Sequence, residues 1–149
     1  MHWTEYISAI VLPIIAGIAA WIAFRQSQIA RNKLKLDLFD KRMAVYGAVR
    51  EALGSIARQG GLTDEQQFFY LQGTRAARWL FGPEVFVYLD EVLWHKIIDL
   101  ELNNTMLKDS RDPQERTKYA QARADLFEWM TEQFKLFDVM VEEYLVLRH

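Results

Sequence analysis

Apolar residues are distributed along this chain in two distinct ways. Residues 6–24 form a run of 19 with no charged side chain and only Ser8 as a polar break. From Gln26 onward the apolar positions instead recur three and four apart, the spacing of helices that turn one face to a core. At about 1.5 Å per residue the first run is roughly 28 Å long as a helix, close to the hydrocarbon thickness of a bilayer. It reads as a single transmembrane helix, with residues 1–5 as a short extracytoplasmic N-terminus and 25–149 as a cytoplasmic part. A cleaved secretory signal would open on basic residues and use a shorter apolar core, whereas the only charge before this run is Glu5. A core helix of a water-soluble domain would carry a polar face, and this stretch has none. Pro13 removes a backbone donor and predicts a kink in the outer half.

No proline occurs between Pro13 and Pro83 and no glycine between Gly17 and Gly47, so the membrane helix is expected to continue beyond the bilayer. Over 26–58 one stripe is Leu36, Phe39, Met43, Tyr46 and Leu53, and a second is Leu38, Val45, Val49, Ala52 and Ile56. Two stripes on one helix call for two neighbours. Gly60 and Gly61 end it, and Thr63-Asp-Glu-Gln66 has the form of a capping box that opens the next helix. That helix is predicted over 64–81, burying Phe68, Phe69, Leu71, Ala76, Trp79 and Leu80 and stopping at Gly82-Pro83. A third is predicted over 84–107, with Val85, Tyr88, Leu89, Val92, Leu93, Ile97, Leu100 and Leu102 inward. The fourth, over 112–147, has Asp112 as N-cap and Pro113 in its first turn, and its core stripe runs from Tyr119 through Leu126, Phe127, Met130, Phe134, Phe137 and Val141 to Tyr144. The expected fold is all-α: a transmembrane helix continuing into an antiparallel bundle, about four helices in all.

Charge sharpens the topology. The totals are 18 Lys+Arg and 20 Asp+Glu, net −2. By segment, residues 25–42 carry +4, while 1–24 carry −1, 43–100 carry −2 and 101–149 carry −3. By the positive-inside rule the basic flank faces the cytoplasm and the N-terminus lies outside. Trp3, Tyr6 and Trp21 suit the headgroup level as amphipathic rings, and Arg25, Arg31, Lys33 and Lys35 suit an anionic inner leaflet, where each cation contributes about 1 kcal/mol. No basic stripe exists beyond this block, which argues against nucleic acid as a partner. Ala16, Gly17, Ala19, Ala20 and Ala23 place small residues four apart, a face on which two membrane helices pack closely.

Candidate chemistry is sparse. The chain has no cysteine, which removes thiolate nucleophiles, disulfides and zinc ribbons. His2, His95 and His149 show no ligand spacing, and Gly60, Gly61 and Gly82 are turn glycines without phosphate-loop spacing. The pairs Asp90/Glu91, Asp99/Glu101 and Glu142/Glu143 read as solvated helix faces. Arg75 and Arg78, one turn apart, suit a phosphate or carboxylate only if a pocket accompanies them. No catalytic residue, metal or cofactor is assigned. Tyr46, Trp79, Trp94, Trp129 and the segment from Tyr144 to Leu147 are candidates for a contact surface.

The stretch Gln28-Ile-Ala-Arg-Asn-Lys-Leu-Lys-Leu-Asp-Leu-Phe-Asp-Lys-Arg-Met-Ala-Val-Tyr46 after an N-terminal membrane helix, with the later Phe81-Gly-Pro-Glu-Val-Phe-Val-Tyr-Leu89, resembles a widespread group of small uncharacterised bacterial inner-membrane proteins. The resemblance implies a bacterial origin and the anchor-plus-helices layout, and brings no activity with it. The expected function is a non-enzymatic single-pass inner-membrane protein whose cytoplasmic bundle mediates self-association or recruits a protein partner. The alternative is an oligomeric membrane-perturbing or pore-forming effector, of antiphage-defence or toxin type, gated by that bundle.

Overall fold

The computed structural model describes residues 3–146, with side chains from residue 13 onward. Every regular element among them is helical: α1 (Trp3–Gln59), α2 (Asp64–Thr74), α3 (Ala77–Leu80), α4 (Pro83–Val87), a π-helical stretch (Tyr88–Leu93), α5 (Trp94–Asp109) and α6 (Pro113–Leu145). Two compact units divide the chain, one reaching to Leu38 and the other beginning at Phe39.

In the first unit α1 is helical on both sides of Pro13, and every side chain from 13 to 38 is exposed. Among the described residues no helix is long and apolar enough to cross a membrane. The expected span 6–24 lies partly outside them, since the side chains of residues 6–12 are not described. Residues 1–2 and 147–149, with His2, Leu147 and His149, lie outside altogether.

The second unit is an antiparallel bundle, as its cross-links show. Arg42 meets Tyr144, Tyr46 and Arg50 meet Asp138, and Gly60 lies beside Arg123, so the end of α1 runs against α6. Along the π-helical stretch and α5 the matching pairs are Tyr88 with Gln133, Asn104 with Arg123 and Leu107 with Arg116. Helix α2 runs back along α1, from Gln66 beside Ser55 to Gly73, where a Cβ would stand 2.5 Å from that of Ala48. One core joins them, with Val45, Val49, Leu53 and Ile56 of α1 meeting Tyr70, Leu89, Leu93, Ile97, Leu100, Met130, Phe137 and Val141.

Both predicted start signals are present. Thr63 Oγ1 accepts from Gln66 N while Gln66 Oε1 accepts from Thr63 N, a complete capping box. Asp112 Oδ1 accepts from Gln114 N, and Pro113 opens α6. Gly60 adopts φ +80°, the left-handed conformation that closes α1.

Several burial assignments are corrected. The helix expected over 64–81 breaks after Thr74, and α2 turns Tyr70 and Thr74 inward, leaving Phe68, Phe69 and Leu71 exposed. After the break Ala77 is buried in place of Ala76, and Trp79 is outside. The expected helix over 84–107 contains the π-helical stretch, whose wider turn spaces the inward residues Leu89, Leu93 and Ile97 four apart. Val92 and Leu102 are exposed. On α1 the stripe meets its partners only from Val45 onward. Leu36, Leu38 and Met43 are exposed and Phe39 is half-buried.

Candidate functional site

Along the first unit the predicted membrane-interface residues share one helix, and those whose side chains are described are exposed. Trp21 stands outward with the Arg25 guanidinium 5.4 Å from its ring centre, and Arg31, Lys33 and Lys35 are solvent-facing. Ala16, Gly17, Ala19, Ala20 and Ala23 are exposed, and a Cβ on Gly17 would meet nothing within 4 Å. The side chains of Trp3 and Tyr6 lie outside the described residues.

In the second unit, buried polar groups are committed to structure. The Tyr70 hydroxyl donates to Leu89 O at 2.8 Å, Tyr88 donates to Gln133 Oε1 at 2.9 Å, and Gln133 Nε2 donates to Trp129 O at 2.9 Å. Burial holds both phenols above their ordinary range, so they remain protonated donors. Thr74 Oγ1 donates to Tyr70 O. Among the described residues no buried side-chain polar atom lacks a partner, and no cluster of His, Asp and Glu fits a metal.

Arg42, the last cation of the 25–42 block, is engaged within the second unit. Its Nε donates to Leu80 O at 2.8 Å and its Nη1 to Tyr144 O at 2.9 Å, while the guanidinium lies 5.5 Å from the Tyr144 ring centre. The Tyr144 hydroxyl donates to Glu84 Oε1 at 2.7 Å, which holds that carboxyl below its ordinary value and the phenol above its own. This clamp ties α1 to the ends of α3 and α6.

Arg75 and Arg78 do line a pocket. A cleft of about 350 Å³ opens between the break after α2 and the π-helical stretch, lined by Leu71, Arg75, Arg78, Trp79, Phe86 and Asp90 among others. The Arg78 guanidinium lies 5.1 Å from the Phe86 ring centre. A cation placed over a ring face is attracted by the ring's quadrupole. Neither arginine has an ion pair or hydrogen bond among the described residues. At 82% exposure, Trp79 stands at the rim.

A second depression, about 330 Å³, lies between α1 and α6 and is lined by Tyr46, Val139, Val141, Glu142, Leu145 and Val146 together with Asp138. Val139 and Val146 are 65% and 56% exposed. Asp138 is occupied, accepting from the Tyr46 hydroxyl at 2.8 Å and pairing with Arg50 at 3.3 Å. Glu142 and Glu143 are exposed and have no partner among the described residues.

Of the contact-surface candidates, Trp79 is outward, while Tyr46, Trp94, Trp129 and Tyr144 pack partly against the core. Trp94 stacks on Tyr70 at 5.7 Å between ring centres. Tyr46, Leu145 and Val146, among the expected contact-surface residues, line the groove, and Val139 joins them there without having been singled out by its spacing. His95, Asp90, Glu91, Asp99, Glu142 and Glu143 are exposed, and Glu101 caps a turn by accepting from Leu62 N at 2.7 Å. Comparison with protein-family models, curated proteins and solved structures finds no match to the chain.

Proposed function

We propose that this chain is a non-enzymatic, single-pass protein of a bacterial inner membrane, anchored by residues 6–24, whose helical unit faces the cytoplasm and associates with copies of itself or with a protein partner. The observation that carries the reading is the uncharged run of 19 residues followed at once by a +4 segment, the charge order of an N-out anchor. The outward apolar side chains of Ile14, Ile15, Ile18, Trp21, Ile22 and Phe24 support it, because a contiguous exposed apolar surface in water calls for lipid or protein cover. The resemblance of residues 28–46 and 81–89 to small inner-membrane proteins points the same way. The reading assigns no catalytic step, in keeping with buried hydroxyls and amides that already hold structural bonds.

The chain has no cysteine, which makes single-cysteine mapping direct. Thr4→Cys and Lys118→Cys, expressed separately in cells, are exposed to a membrane-impermeant maleimide before and after lysis. The expected result is labelling of Thr4→Cys in intact spheroplasts, labelling of Lys118→Cys only after lysis, and retention of both in the membrane pellet through an alkaline carbonate wash. Release of the chain by that wash, or the reverse labelling pattern, overturns the proposal.

A further inference from the structure

The second unit carries two unpartnered surfaces of opposite character. One is cationic: Trp79 stands out at the rim of the cleft after α2, with Arg75 and Arg78 on the cleft lining. The other is concave and anionic: Val139, Val141, Leu145 and Val146 form an apolar depression on α6, with Glu142 on its wall and Glu143 next in sequence. We infer that these surfaces dock on one another between two copies of this chain. Trp79 of one copy occupies the Val139–Val146 depression of a second, and Arg75 and Arg78 of the first meet Glu142 and Glu143 of the second.

The exposure of Trp79 and the charges of the two surfaces both favour this occupant. A tryptophan so exposed is an unusual surface residue, and burial of its indole in an apolar pocket is the commonest form of an interface anchor. The depression offers aliphatic walls, and its carboxylate Asp138 already pairs with Arg50 and accepts from the Tyr46 hydroxyl. Glu142 on its wall and Glu143 beside it have no ion pair or hydrogen bond among the described residues. On the cationic side the Arg78 guanidinium lies 5.1 Å from the Phe86 ring centre, and it has no ion pair or hydrogen bond among the described residues. Asp90 in the cleft accompanies the two arginines and leaves a net positive surface there. Because the two surfaces differ, the contact closes as a reciprocal two-fold pair or runs head to tail around a ring.

The inference rests on the reading of the helical unit as an association module and names its partner as a second copy. The test uses the full chain in mild detergent, with mass followed by light scattering across a concentration series. The native chain is expected to associate. Trp79→Ala is expected to raise the association midpoint about tenfold or more, with the melting temperature unchanged because the side chain is outside the core. Arg75→Glu with Arg78→Glu, and separately Glu142→Arg with Glu143→Arg, are expected to give monomers, and mixing these two charge-reversed chains is expected to restore association. A native chain that stays monomeric, an association indifferent to Trp79→Ala, or a mixture that stays monomeric overturns the inference. Where Arg78→Glu lowers the melting temperature through loss of the Phe86 stack, Arg75→Glu alone takes its place in the mixture. Membrane fractionation of the same variants separates the two readings. A chain that associates yet leaves the membrane pellet removes the anchor only, and one that stays in the pellet as a monomer removes the docking only.

Discussion

The Gln133 side chain is 4% exposed and held from both ends, its oxygen accepting from Tyr88 and its nitrogen donating to Trp129 O. A buried polar group is tolerated when its bonds are complete and is costly when one partner is removed. Gln133→Leu is therefore expected to destabilise the helical unit by about 1–3 kcal/mol, because it strands the Tyr88 hydroxyl. Adding Tyr88→Phe is expected to recover most of that loss, with urea unfolding of the single and double variants as the measurement. Nothing in the sequence marked Gln133, since a glutamine is mute until the residue facing it is known. Arg42 was concealed differently. It belongs by position to the basic block, and only the backbone carbonyls of Leu80 and Tyr144 show that its charge is spent inside the protein. Arg75 and Arg78 were visible as a pair one turn apart, but the cleft that gives them meaning needs a helix break and a π-helical stretch to bring Trp79, Phe86 and Asp90 beside them.

Element boundaries were most legible where a single residue type has one physical use. The capping box at Thr63 and Gln66 and the Asp112-Pro113 start of α6 are local chemistry, so they are readable without knowledge of the fold. Thr63→Ala is expected to cost about 1 kcal/mol, by loss of the bond to Gln66 N and of the reciprocal geometry around it, and a thermal melt against the native chain checks it. Burial was less legible where phase is interrupted. Phe68, Phe69 and Leu71 share helical spacing with Trp79 only if the helix passes through Arg75 and Ala76 unbroken, and it does not. In the π-helical stretch the Leu89 carbonyl accepts both from Trp94 N, five residues on, and from the Tyr70 hydroxyl. An acceptor supplied from another helix helps hold the wide turn, and no count of apolar residues within the stretch itself reveals it.

At the scale of the whole molecule, the two units differ in what stabilises them. From Phe39 onward a single apolar core draws on α1, α2, α5 and α6, and Phe137 lies at its centre, stacked between Tyr46 and Tyr88. From residue 13 to 38 no side chain is buried, so in water that stretch has only its own backbone bonds and isolated-helix energetics, which are marginal. The all-α antiparallel class was legible from periodicity because the four helical courses are long. The extent of the core on α1 was not, because apolar periodicity continues past the point where neighbours begin. One helix therefore keeps two clocks. In deuterated water, amides of α1 within 45–59 are expected to exchange only when the whole core opens, while those of 25–38 exchange orders of magnitude faster through local fraying, a contrast that peptide-resolved mass spectrometry reads directly. Returned to a bilayer, the same helix is expected to show slow exchange again over 6–24, where solvent no longer reaches the backbone, so that deuterium enters it fastest in its middle.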